Sequence, residues 1–193
     1  MGIQFVHPAQ GHGRSSASGF TLLELTIIGF IVGILGLVSA PSWLGFVNTL
    51  QLNSSRDRVY QAMQEAKSNS VRDNLRWQVT FRQVDDTVQA AVHPVIEGRF
   101  MPPTVHWQTI GQVRIDEAET TLHCSSRNCQ TPGTLWRVQF NHRGNTNGQL
   151  GRITLMGHRN VRVKRCVIVS TLIGHLRVAQ QQSRPDENKR YCY

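Results

Sequence analysis

The chain has 193 residues, 39% hydrophobic and 17% charged, and its 21 Lys and Arg outnumber 12 Asp and Glu for a formal charge of +9. Apolar residues suffice for one core and four cysteines are too few for a disulfide framework, which excludes a disordered chain, a multi-pass membrane protein and a knottin-like scaffold. The positive excess speaks to association with polyanions and not to fold.

Residues 1–19 are polar and rich in Gly and Ser, with Arg14 their one Lys or Arg. Residues 20–40 then read FTLLELTIIGFIVGILGLVSA, with a single charge at Glu24. As a helix rising about 1.5 Å per residue this run is roughly 31 Å long, enough for a bilayer core of about 30 Å. It is the one segment of the chain expected to span a membrane. Val38-Ser39-Ala40 imitates a signal-peptidase site, but Pro41 follows directly and the run is long for a signal peptide. A carboxylate inside such a run is costly unless paired, which marks Glu24 as a functional candidate. Gly29, Gly33 and Gly36 thin one side of the helix and suit close contact with another helix.

Pro41 lacks a backbone donor and is expected to bend the helix, which the pattern carries on to about Asn74. Trp43, Phe46, Val47 and Leu50 keep 3/4 spacing, and Val59, Met63, Ala66 and Ser70 continue a narrower stripe. Arg56, Arg58, Gln61, Glu65 and Lys67 fall between and are expected in water. Beyond Asn74 the period becomes two: Trp77, Val79 and Phe81 alternate with polar residues. Further strands are expected at 88–93, 104–109 and 112–115. Residues 135–156 read as a hairpin with Asn147-Gly148 as its turn signal, and 161–163 and 166–173 complete the set. One long helix followed by antiparallel strands predicts an α+β fold.

The sequence holds no His-Glu-x-x-His, Gly-x-Ser-x-Gly or P-loop, and its eight histidines are scattered, so an enzyme is not expected. His123 beside Cys124 invites a metal reading, but no Cys-x-x-Cys accompanies it. Neither metal nor cofactor is expected.

Gly19-Phe20-Thr21-Leu22-Leu23-Glu24 resembles the processing site of type IV prepilins, with Glu as the fifth residue after the cut. Pro41 is residue 22 counted from Phe20, where that family often has Pro. The resemblance implies that a prepilin peptidase cleaves between Gly19 and Phe20 and methylates the new N-terminal Phe20. It also implies that Glu24 neutralises the terminal amine of a neighbouring subunit in a filament. The 19-residue leader is longer than the short basic leaders common in the family. Further on, YQAMQEAKSNSVRDN followed by VTF, a Cys-containing loop before the Trp136 strand, and NHRGNTNGQLGRITL followed by RCVIVSTLIGHLR resemble the GspH/FimT group of minor pilins and pseudopilins.

Read this way, the chain divides into a leader (1–19), a transmembrane and filament-core helix (20–41), an amphipathic stem (42–74), a β-rich head (75–178) and a polar tail (179–193). The implied fold is a long transmembrane and stem helix packed on an antiparallel β-sheet head. The implied function is that of a minor pilin, built into a type IV pilus or priming its assembly. The alternatives are a type II secretion pseudopilin and a DNA-binding minor pilin of natural transformation. Implied partners are other pilins or pseudopilins, the peptidase, the inner membrane and double-stranded DNA. The implied location is the bacterial inner membrane, head in the periplasm, then the filament or its tip.

The resemblance places Cys124, Cys129, Cys166 and Cys192 in an oxidising compartment, where disulfides are expected. Four cysteines allow three pairings. Cys124 with Cys129 would close a short loop, and Cys166 with Cys192 would tie the tail to a strand. Residues 151–193 carry nine Lys or Arg against Asp186 and Glu187. Some FimT-like minor pilins bind DNA through a C-terminal Gly-Arg-x-Arg; here the stretch is Gly174-His175-Leu176-Arg177, with His at the first Arg. Arg162, Lys164, Arg165, Gly174 and Arg177 are the DNA-binding candidates, against a plain solvated basic surface.

Overall fold

The computed structural model describes residues 21–193 apart from 127, 130, 132, 149, 158–162 and 189, and of 38–42 the backbone alone. Gly19, Phe20, Arg162 and the expected leader therefore lie outside the described residues. Two compact units divide the chain, Met1–Ser42 and Trp43–Tyr193.

Helix α1 runs Leu22–Arg72. Thr21 starts it: the Thr21 carbonyl accepts the Leu25 N–H at 3.1 Å and its hydroxyl accepts the Glu24 N–H at 3.2 Å. This is N-cap geometry, which satisfies amides that the first turn leaves without partners. The helix continues through position 41 and ends two residues before the expected Asn74. Asn74 itself takes φ 52°, a left-handed conformation that stops a right-handed helix.

In the first unit the described side chains from Leu22 to Leu37 are exposed all around the helix. Among the described residues no helix is long and apolar enough to cross a membrane. The side chains of 38–41, which belong to the expected span, lie outside them.

In the second unit, Leu52, Ser55, Val59, Ala62, Met63, Ala66 and Ser70 form one buried helix face. Their 3/4 spacing puts them on the stripe that meets the head. Trp43, Phe46, Val47 and Leu50, which share that spacing, stay exposed, so the buried face starts only at Leu52. Lys67, expected in water, is half-buried because its stem lies against the head while its ammonium reaches the carbonyls of Ile173 and Gly174.

Among the described residues, nine strands form two antiparallel sheets. The first contains β1 (Trp77–Val84), β2 (Thr87–Pro94), β3 (Gln108–Gly111), β5 (His123–Cys124) and β6 (Leu135–Phe140), in the order β3-β2-β1-β6-β5. The second contains β4 (Val113–Ile115), β7 (Gly151–Gly157), β8 (Lys164–Val169) and β9 (Leu176–Gln180), in the order β4-β7-β8-β9. Register aligns Val79 with Val138 and Phe81 with Trp136, and these join Ile153, Leu155, Val167 and the helix residues Val59 and Met63 in one core. The outer face of the first sheet is polar yet buried at Gln78, Thr80, His93 and Gln139. The segment after β2 covers it, and the Phe100 carbonyl accepts from Gln78 Nε2 at 2.7 Å.

Three strand expectations need correction. Residues 104–107 are outside any strand, and β3 starts at Gln108. The expected hairpin over 135–156 does not form, because β6 and β7 belong to different sheets. The chain reverses earlier, at 141–145: Phe140 bridges Thr146, and Asn141 Oδ1 accepts the N–H groups of Arg143 and Asn145. The expected strand over 166–173 stops at Val169 and a turn follows, so β9 carries the sheet across the boundary drawn at 178.

Candidate functional site

At the helix start, Glu24 is exposed and its N–H is held by the Thr21 hydroxyl. Thr21 and Glu24 stand three apart, the positions of the Ser/Thr-x-x-Glu capping pattern, and a carboxylate in the first turn favours the positive end of the helix dipole. The Glu24 carboxylate thus stands at the end of the helix where the dipole favours negative charge. The sequence signal, Thr followed three residues later by Glu, was present. Phe20 lies outside the described residues, so the two are not placed together.

Of the DNA-binding candidates, Lys164, Arg165, Gly174 and Arg177 are described, and they differ in exposure and in the face they occupy. Lys164 is enclosed: its ammonium stands 2.5 Å from Asp116 Oδ2 and 2.7 Å from Glu119 Oε1. Burial pulls its pKa down, but the hydrogen bonds and charges of the two carboxylates outweigh that and hold it above the ordinary lysine value. Arg165 donates to Asn53 Oδ1 on α1 at 2.7 Å, and burial, with Arg56 adding to it, lowers its pKa. Arg177 pairs with Ile168 in the β8–β9 register, so successive positions put it on the opposite face of the sheet from Arg165. Of the candidates, Arg177 is exposed, and Gly174 is a tight turn residue with φ 71°.

The cysteines are bonded Cys124 to Cys129 and Cys166 to Cys192, and the structure holds no free cysteine. Their Cα atoms are 5.6 Å and 6.2 Å apart, within the usual range. Cys192, fully buried, is drawn onto β8, and Gln181 bridges it from the other side. The tail between them has its own framework. Asp186 Oδ1 accepts the N–H groups of Asn188 and Arg190, and the Arg152 guanidinium bonds Asp186 and the Cys192 carbonyl. Thus part of the late basic charge is spent internally, Arg152 on Asp186 and Lys164 on Asp116 and Glu119. Those acceptors lie 34 to 48 positions from their cations, so local sequence carried no sign of them, whereas Asp186-Glu187-Asn188 has turn composition.

Among the described residues no group of three His, Cys, Asp or Glu could hold a metal. Cys124 is in a disulfide, and His123 stacks on Phe100 with ring centroids 6.0 Å apart. Burial and the nearby Arg137 charge both lower the His123 pKa.

Two solved structures are similar to the chain. Both are crystal structures of the type IV minor pilin FimU of Pseudomonas aeruginosa PAO1. One is 13% identical, with a TM-score of 0.43, over 66% of this chain and 91% of that chain. The other is 14% identical, with a TM-score of 0.45, over 69% and 91%. No family model and no curated protein matches the chain. Identities and scores at this level define no family.

Proposed function

We propose that the chain is a minor-pilin-type structural subunit. One observation carries the reading: the start of α1 exposes large apolar side chains on every side, from Leu22 and Leu23 to Leu35 and Leu37, with one carboxylate among them. A helix apolar all round needs a bilayer or other helices to cover it. The Gly19-Phe20-Thr21-Leu22-Leu23-Glu24 motif supports the same reading. Cleavage after Gly19 frees the Phe20 amine, which becomes methylated, and the helix passes from the inner membrane into a filament. In the packed filament Glu24 meets a terminal amine, since a lone carboxylate among apolar helices would cost several kcal/mol. Work in a type II secretion system would use the same helix chemistry.

The test is the intact mass of protein recovered from membranes, with and without co-expressed prepilin peptidase. The expected product starts at N-methylated Phe20 and is lost on Gly19 substitution. A chain that keeps residues 1–19 in both samples would overturn the proposal.

A further inference from the structure

Arg76, Arg99 and Arg137 line a shallow depression of about 440 Å³ beside Gly98, Phe100 and Gln139, on the outer side of the first sheet. Glu97 also lines it and holds Arg76 at 2.6 Å, but its side chain is 87% exposed. Arg137 rises from β6. Its Nη1 donates to the Phe100 carbonyl at 3.3 Å, and its guanidinium carbon lies 4.1 Å from the Phe100 ring centroid. Its Nε is buried and has no hydrogen-bond partner. Among the described residues no carboxylate pairs with it. Burial lowers its pKa, which measures how poorly the charge is solvated.

A poorly solvated guanidinium with no carboxylate beside it is a costly arrangement, and an anion arriving in the depression would offset its charge. Three guanidiniums against one weakly held carboxylate leave two positive charges over, which a phosphate dianion matches better than a single carboxylate does. The planar fork of Arg suits such oxygens, often in bidentate pairs. We infer that this depression binds a phosphoryl group, gripped by Arg137 with Arg99 and Arg76 at the rim. The site is on the opposite sheet from Arg177, and it does not depend on the pilin reading.

The experiment is calorimetric titration of the full chain, in uncharged detergent, with inorganic phosphate at fixed ionic strength. One site with a Kd on the order of 1 mM is expected. Arg137→Gln should weaken it about tenfold and Arg99→Gln about threefold, with Arg177→Gln unchanged. Arg99 is exposed, so its variant keeps the test valid if Arg137→Gln does not fold. Glu97→Gln should tighten binding about threefold by freeing Arg76, which a purely structural role for these residues would not produce. A phosphate heat no larger than that of chloride would overturn the inference. So would wild-type affinity in Arg99→Gln, equal weakening in Arg177→Gln, or acetate binding as well as phosphate. A short DNA duplex displaced by phosphate and weakened by Arg99→Gln would make the phosphoryl group a nucleic-acid one; phosphate binding with no duplex binding would make it a small molecule.

Discussion

The Lys67 ammonium donates to the Gly174 carbonyl at 2.9 Å, fastening the end of α1 to the turn between β8 and β9. Gly174 reaches this position with φ 71°, and an added Cβ would run into the Gly144 carbonyl and meet the Phe140 ring at 3.4 Å. Both the left-handed backbone and the close approach require glycine. Gly174→Ala should therefore lower stability by about 2 kcal/mol, seen as a lower urea midpoint with an unchanged slope. An unaltered midpoint would dismiss this account. Gly174, one of the DNA-binding candidates, thus has a packing reason to be glycine, and weaker DNA binding in this variant alone would not identify a contact.

The two disulfides should differ in worth. In the chain-entropy view, closing the 26-residue Cys166–Cys192 separation contributes about 3.5 kcal/mol, and closing the five-residue Cys124–Cys129 separation about 2 kcal/mol. Cys192→Ser should cost more than Cys129→Ser in urea unfolding, and should also expose the tail to protease. Equal costs, or a protease-resistant tail in Cys192→Ser, would show that this bond does not hold the tail in place.

Lys164 separates two carboxylates that are nearly buried, and removing it would leave them facing each other without a cation. Lys164→Met should lose about 3 kcal/mol, while the triple variant with Asp116→Asn and Glu119→Gln should recover most of it. Equilibrium unfolding of both checks this, and a triple variant no better than the single one would refute it. The wild type has an alkaline limit of the same origin. Its raised folded-state pKa gives stability that is complete below the unfolded value, about 10.4, and is lost as pH rises through the folded one.

Much of the fold was legible locally. The stripe of Val59, Met63, Ala66 and Ser70 is buried where spacing put it, and the alternation at Trp136, Val138 and Phe140 is a core strand. What could not be read was long-range. Asn147-Gly148 carries a hairpin signal, but sheet membership depends on the partners β1 and β8, which turn composition does not encode. Likewise the sequence concentrates positive charge near the C-terminus without showing where it faces. Strand parity sends Arg165 and Arg177 to opposite faces, and distant acids take up Lys164 and Arg152. The depression at Arg137 had no sequence signal, because Arg76, Arg99 and Arg137 are brought together by pairing and by the segment that crosses the sheet.

Acid should loosen the tail before the core. Asp186 is held below the usual carboxylate range chiefly by the Arg190 N–H, against a burial effect of opposite sign, with Arg152 and the Asn188 N–H adding to it. A depressed folded-state pKa gives stability that is present above the unfolded value, about 3.9, and is lost as pH falls through the folded one. Below about pH 4, the amides of Asn188 and Arg190 should lose hydrogen-exchange protection while those of β1 and β6 keep theirs. The Cys166–Cys192 bond keeps the opening local, since it anchors the far end of the segment. Asp186→Asn retains an oxygen acceptor but no charge, so it should flatten this pH dependence while preserving part of the protection. Tail amides that exchange at the same rate in Asp186→Asn and wild type across the acid range would show that the carboxylate does not govern the tail.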